Sequence, residues 1–149
     1  NYKDGVDFSR GSGAYPEEAG GIRAFVQEFV DHIRAKGGRW AEIEIMVTET
    51  GYAINRGSPQ HCPIYGSWSD QHAQALGVVR MYLAYSAVNG LTAINQFFFS
   101  DTHSDALNDP SLWASTGLLS GGYTYDPPHI SWYWHKQMHD ILEGTSFES

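Results

Sequence analysis

The chain is poor in cysteine, in basic residues and in long apolar runs. Cys62 is the single cysteine among 149 residues, which excludes an internal disulfide. Nine Lys and Arg stand against 17 Asp and Glu, and this acidic balance disfavours nucleic acids and anionic membrane surfaces as partners. No apolar run approaches the roughly 20 residues that a membrane-spanning helix needs. No signal peptide is evident, and because the chain opens on Asn1 rather than Met we expect a processed or fragmentary start.

Apolar and aromatic residues are abundant. Hydrophobic residues make up 42% of the chain, and the aromatic residues among them make up 14% of the chain. This apolar content is enough for a packed core and too high for a disordered segment. The length suits one domain spanning residues 1–149, with no second domain. The many Trp and Tyr residues also suit a surface that stacks on sugar rings, although ordinary core packing uses the same residues.

The pattern of apolar residues predicts an alternation of helices and strands. We expect a glycine-rich loop over residues 1–21 and then a helix over 22–35 and a strand within 43–52 that ends near Glu49. A second helix capped by Ser67 or Ser69 runs to about residue 88, a second strand covers 91–99, and a last helix covers about 130–142. Such alternation is typical of parallel strands joined by right-handed crossovers. Because two parallel strands need neighbours and cover on both faces, we expect the chain to be the later part of a larger α/β protein.

The first predicted strand ends on a carboxylate. Residues 45–47 are apolar, and Gly51 gives a turn signal shortly after Glu49. The carboxyl ends of strands are where α/β folds place ligands and catalytic groups. Side chains alternate along a strand, so we expect Ile45, Val47 and Glu49 to share one face. An acid on an aliphatic face indicates a functional role.

Two segments resemble one enzyme family. Residues 48–52, Thr-Glu-Thr-Gly-Tyr, resemble the end of the seventh strand in retaining glycoside hydrolases with a (β/α)8 barrel. Residues 117–119, Gly-Leu-Leu, and the later stretch 125–133 resemble the closing segment of the same enzymes. The resemblance implies an α/β fold class, namely the C-terminal part of a (β/α)8 TIM barrel. The barrel would be incomplete in this chain, which would run from the end of strand six to helix eight.

The resemblance also implies a function. Glu49 would be the nucleophile of a double displacement on β-linked oligo- or polysaccharide, and Tyr2 would orient it through a hydrogen bond. The family's acid/base is a Glu preceded by Asn, and no Asn-Glu pair occurs in this sequence. We therefore expect the acid/base outside this chain, with the remaining barrel segment as a partner on another chain or fragment, and this chain inactive by itself. No metal or organic cofactor is expected, and a secreted or periplasmic location is favoured.

Five further residues are candidates for substrate binding. Trp68 and Trp113 lie in predicted loops, where they could stack on sugars. Phe99 could form the floor of the sugar site, a position where related enzymes often carry a Trp. Asp101 and His103 lie in the polar loop after the second strand, which would face the substrate.

Two other readings of the same residues stay open. Glu49 could be a structural acid, in a sugar-binding or scaffold protein that has lost catalysis. The chain could also be a self-standing half-barrel that dimerises to close its sheet.

Two patterns have the spacing of metal ligands. Asp101-x-His103-x-Asp105 offers too few ligands for calcium, so a solvated or substrate-facing loop is expected there. His135 and His139 stand four apart on the last helix, a spacing that can hold zinc. We expect an outward-facing histidine pair rather than a metal site.

Overall fold

The computed structural model describes residues 16–17, 21–122 and 126–146. In these ranges the structure consists of three helices, two strands and two short 3-10 turns. They are α1 (Ile22–Arg34), a turn (Gly38–Ala41), β1 (Met46–Thr50), α2 (Asp70–Ser86), β2 (Ala93–Gln96), a turn (Ala106–Asn108) and α3 (Ile130–Leu142). The predicted order of helices and strands is confirmed.

The predicted fold class is wrong. Within the described residues, β1 and β2 pair in parallel as a sheet of two strands. A barrel closes eight strands on one another, and three helices on a two-stranded sheet are too few to form part of one. Two parts of the prediction agree with the structure: the mixture of helices and strands, and the parallel pairing of the strands.

Local signals fix the helix ends. Ser69 caps α2, because its side chain accepts a hydrogen bond from the backbone N–H of His72. Gly37 and Gly38 lie shortly after the end of α1 with φ of 65° and 57°, positive values that glycine adopts without steric cost. Among residues 21–122 and 126–146, no helix combines the length and the apolarity needed to cross a bilayer.

The core lies between the helices and one face of the sheet. Its buried members come from α1, from α2 and from the loops around them: Val30, Tyr52, Cys62, Ala73, Met81, Tyr85 and Val88. Ile45, Val47 and Ile94 pack against this cluster from the sheet, so the strands cover it with one face each.

The apolar side chains of α1 and α2 are only partly buried. Val30 is buried in the core, but Phe25 and Phe29 are half exposed. In α2, Leu83 is exposed while Met81 and Tyr85 are buried. The apolar pattern predicts where a helix forms, but the neighbours present decide which apolar side chains are covered.

Polar side chains tie α1 to the turns that precede the strands. Arg34 donates from Nη1 to the carbonyl of Ile43 at 2.7 Å and from Nη2 to that of Gly90 at 3.3 Å. Gln27 donates to the carbonyl of Asn89 and accepts from its N–H. These contacts anchor α1 beside the amino ends of both strands.

We expect Cys62 to resist alkylation in the folded chain. Burial raises the pKa of its thiol to about 12, against a weaker opposing effect of Arg80, and the thiolate is the reactive form. At pH 8, its reaction with iodoacetamide should be at least about a hundredfold slower in the native chain than in urea. The rate is measured by mass spectrometry, and equal rates in both conditions would contradict the buried position.

Candidate functional site

Glu49 lies one residue before the end of β1, on the exposed face of the sheet. Pairing with β2 is regular at Val47 and shifts before Thr50. Thr50 is buried and donates from Oγ1 to the sulfur of Met81 at 3.0 Å, whereas Glu49 is exposed. Val47 and Thr50 therefore both face the helices, and the irregularity turns Glu49 away from them. The expectation that Glu49 shares a face with Ile45 and Val47 is wrong.

The carboxylate of Glu49 has no interaction partner in the described part of the chain. Within residues 21–122 and 126–146, no hydrogen bond or ion pair involves it. Glu49 is thus a charged group held at a strand end and open to a ligand.

Aromatic side chains border the same end of the sheet. The backbone of Phe97 donates to the carbonyl of Thr50 at 2.8 Å, which sets Phe97 beside the strand end that carries Glu49. The indole of Trp113 packs edge-on against Phe97 with 5.0 Å between ring centroids. Trp113, predicted to contact substrate, is therefore linked through Phe97 to the carboxyl end of β1.

Phe99 is the most exposed of the described aromatic residues between β2 and α3. It is 60% exposed, and its ring meets that of Trp132 edge-on at 5.9 Å. An exposed aromatic side chain of this kind is what a sugar-stacking position requires.

Trp68 belongs to a different aromatic cluster. Its ring lies 5.6 Å from that of Tyr65 and 5.8 Å from that of Trp134 on α3, edge-on in both cases. His72 completes this cluster at 5.9 Å from Trp68. The contacts of Trp68 are with the helices, so nothing in the structure joins it to Glu49.

Asp101 is buried, and both of its carboxylate oxygens are hydrogen-bonded. Its Oδ1 accepts from the backbone N–H of Gly117, and its Oδ2 is hydrogen-bonded to Nε2 of His129, both at 2.8 Å. The residue is 6% exposed, which leaves the carboxylate no open side for a sugar. We therefore exclude Asp101 from the site and assign it a structural role.

His103 is paired with another loop acid. Its Nε2 lies 3.0 Å from Oδ2 of Asp109. Hydrogen bonds from Ser111, with a smaller contribution from His103, lower the pKa of Asp109 to about 2. His103 and Asp101 are hydrogen-bonded to different residues, so the side chains of the Asp-x-His-x-Asp pattern do not form one ligand set.

Gln74 and Gln96 hold the segment between β2 and α3 against the end of the sheet. The sequence pattern did not single out either residue. Gln74 of α2 is fully buried and donates to the carbonyls of Tyr52 and Gly117, each at 3.1 Å. Gln96, the last residue of β2, donates to the carbonyl of Thr116 at 2.9 Å. Their one sequence signal is a polar residue among apolar neighbours.

Two further predictions concern Tyr2 and cofactors. Tyr2, the predicted partner of the nucleophile, lies outside the described residues. In the part of the chain that the structure describes, no three or more His, Cys, Asp or Glu side chains converge as metal ligands.

A cavity lies elsewhere, where α2 and α3 both end. It has a volume of about 750 Å³, and Tyr82, Leu83, Met138, His139 and Leu142 are among its lining residues. No residue predicted to be catalytic or to bind substrate lines it.

We expect Asp101→Ala to destabilise the chain strongly. The substitution leaves two buried donors, Gly117 N–H and His129 Nε2–H, without an acceptor, at about 1–3 kcal/mol each. The free energy of unfolding in urea should therefore fall by about 2–5 kcal/mol.

The matched control is Asp140→Ala, which removes an exposed partner of Lys136. A surface pair four residues apart on a helix contributes about 0.3–0.5 kcal/mol, so this variant should unfold almost as the parent does. Equal stability of the two variants would show that the Asp101 contact is not a structural anchor.

Comparisons with known proteins give no family assignment. No protein-family model, no curated protein and no solved structure matched this chain.

Proposed function

We propose that this chain carries the nucleophile of a retaining glycoside hydrolase that acts on β-linked oligo- or polysaccharide. The observation that supports this most is the exposed carboxylate of Glu49 at the carboxyl end of a parallel strand, where it has no partner among the described residues. The resemblance of residues 48–52 to the nucleophile segment of such enzymes supports the same role.

The proposed chemistry is a double displacement. An oxygen of Glu49 attacks the anomeric carbon, the bond from that carbon to the glycosidic oxygen breaks, and the leaving oxygen takes a proton from a second carboxylic acid. Water then attacks the same carbon, gives its proton to the second group and releases Glu49 as a carboxylate. Two inversions retain the configuration of the sugar.

The aromatic residues supply the sugar-binding surface in this proposal. Sugar rings present C–H groups on their faces, which pack on aromatic rings and bury apolar area. Phe99 offers an exposed ring, and Trp113 stands against Phe97 beside the end of β1. In this proposal Phe99 and Trp113 stack on the sugar while the carboxylate of Glu49 attacks it.

The second carboxyl group is proposed to come from another polypeptide segment. A retaining site needs it about 5–5.5 Å from the nucleophile. Four described acids that follow the two strands already have partners in the fold: Asp70, Asp101, Asp105 and Asp109. Oδ1 of Asp126, a further acid after β2, is buried and has no partner among the described residues. We propose that a partner segment supplies the acid/base, so that the chain by itself would cleave ordinary glycosides poorly.

A sugar-binding protein without catalysis is the second candidate. The observation that favours it is the Tyr65–Trp68 surface, where Tyr65 is 61% exposed and the two rings are in contact. This surface could hold a glycan with no carboxylate involved. The two candidates differ in whether a covalent bond forms at Glu49.

We expect an activated fluorosugar to label Glu49. Fluoride departs without acid assistance, so a 2-deoxy-2-fluoro-β-glycosyl fluoride tests the nucleophile even where the acid/base is missing. A panel of such fluorides should raise the mass of the full chain by one glycosyl unit, and peptide sequencing should locate the adduct on Glu49.

Glu49→Gln should abolish labelling, because the amide is not a nucleophile. Glu44→Gln is the matched control, since Glu44 is an exposed glutamate just before the same strand, and it should label as the parent does. Labelling of the Glu49→Gln variant, or of no variant by any fluoride, would contradict the hydrolase proposal. Retained affinity for a glycan in that case would favour the binding protein.

A further inference from the structure

The cavity at the ends of α2 and α3 has apolar side walls. Its volume of about 750 Å³ lies within the range of about 300–1,000 Å³ that is usual for small-molecule sites. Tyr82 and Leu83 line it from α2, and Met138 and Leu142 line it from α3. Leu83 and Leu142 are 44% and 40% exposed, so the fold leaves apolar surface here that the apolar body of a ligand can cover.

The aromatic wall of the cavity is fixed by packing between the helices. The ring centroid of Tyr82 lies 4.6 Å from that of His135 and 6.2 Å from that of His139. His135 is partly buried in this contact, so the expectation of an outward-facing histidine pair is wrong for that residue. Burial raises the pKa of the Tyr82 hydroxyl, and this wall is therefore uncharged at neutral pH.

The negative ends of two helices lie at the cavity. Leu83 and Ser86 belong to the last turn of α2, and Leu142 is the last residue of α3. A helix C-terminus carries about half a negative charge, which a Lys or Arg in the last turn offsets. The last turn of α2 contains no basic residue, and that of α3 contains only His139. Neither helix therefore supplies a permanent positive charge at its own negative end.

Two carboxylates add to this negative charge. Asp140 and Glu143 both line the cavity. Asp140 is hydrogen-bonded to Lys136 at 2.5 Å, whereas no hydrogen bond or ion pair among the described residues involves the carboxylate of Glu143. Of the described residues that line the cavity, only His139 can carry a positive charge. Apolar walls and an uncompensated negative charge therefore occur together at this place.

We propose that this cavity binds an organic cation with an apolar body, of the class of protonated alkyl and arylalkyl amines. The apolar body packs against Leu83, Met138 and Leu142, and the ammonium group lies at the helix ends beside Glu143. A neutral ligand of the same shape gains the apolar contacts alone. An anion is repelled by both helix ends and by the carboxylates. This proposal is independent of any glycosidase activity.

Three ligands of similar size and different charge test the proposal: 3-phenylpropylammonium, 3-phenylpropan-1-ol and 3-phenylpropionate. Each is titrated at about pH 8, where His139 is neutral, into the isotope-labelled full chain, and NMR follows the backbone amides. The amine should bind at least about fivefold more tightly than the alcohol, because the helix ends and Glu143 attract its charge. The propionate should bind most weakly. The amide signals that move should be those of residues 82–86 and 138–146.

Two outcomes of these titrations would overturn the proposal. One is an amine that binds no more tightly than the alcohol, which includes the case that none of the three ligands binds. The other is an amine that moves the amide signals of a different part of the chain.

Two variants locate the charge that attracts the amine. Glu143→Gln should weaken amine binding about two- to fivefold, the range for an exposed ion pair, and should leave alcohol binding unchanged. Ser86→Lys places a cation at the exposed end of α2, where it suits the helix dipole, so the variant should keep the fold, which circular dichroism checks. Its affinity for the amine should fall by at least about fivefold. An unchanged affinity for the amine in either variant would contradict the proposal.

Glu28→Gln is the matched control for Glu143→Gln. Glu28 is an exposed glutamate of α1 and does not line the cavity. This variant loses the same charge from the chain and should bind the amine as the parent does. An equal loss of affinity in both glutamate variants would show that the amine responds to the net charge of the chain and not to this site.

Discussion

The buried contact of Asp101 organises the long segment between β2 and α3. One carboxylate oxygen accepts from the N–H of Gly117, and the other is hydrogen-bonded to His129, 28 residues away. At Gly117 a Cβ would lie 2.3 Å from the backbone nitrogen of Asp101, so the turn requires glycine at this point. A single side chain thereby joins the strand end, a tight turn and the residue just before α3.

The position of the aromatic residues follows from that contact. Trp113 lies four residues before Gly117, and Phe99 lies two residues before Asp101. The N–H groups of Leu118 and Leu119 both donate to the carbonyl of Phe99 at 3.0 Å. Gln74 and Gln96 donate hydrogen bonds to the carbonyls of Gly117 and Thr116 in the same turn. The surface beside Glu49 is thus built from a loop that is fixed by buried polar contacts rather than by a sheet.

An irregularity in β1 turns Thr50 towards the core and leaves Glu49 on the exposed side of the sheet. Thr50 turns towards Met81 and holds the strand on α2. Glu49, its neighbour, is left on the opposite side. Regular alternation would have given Glu49 the same face as Val47, where a carboxylate would have been buried among aliphatic groups. The irregularity therefore keeps the charge solvated and the core apolar.

Local signals in the sequence predict the helices well and the fold poorly. α3 has the predicted bounds, and α2 begins at its Ser69 cap, because periodicity and capping act over a few residues. The barrel was inferred from a resemblance of short segments, and short segments do not determine how many strands a sheet has. The contact of Asp101 with His129 joins residues 28 apart, and no local pattern carries that information. The exposure of Phe25 and Phe29 likewise depends on what packs against α1.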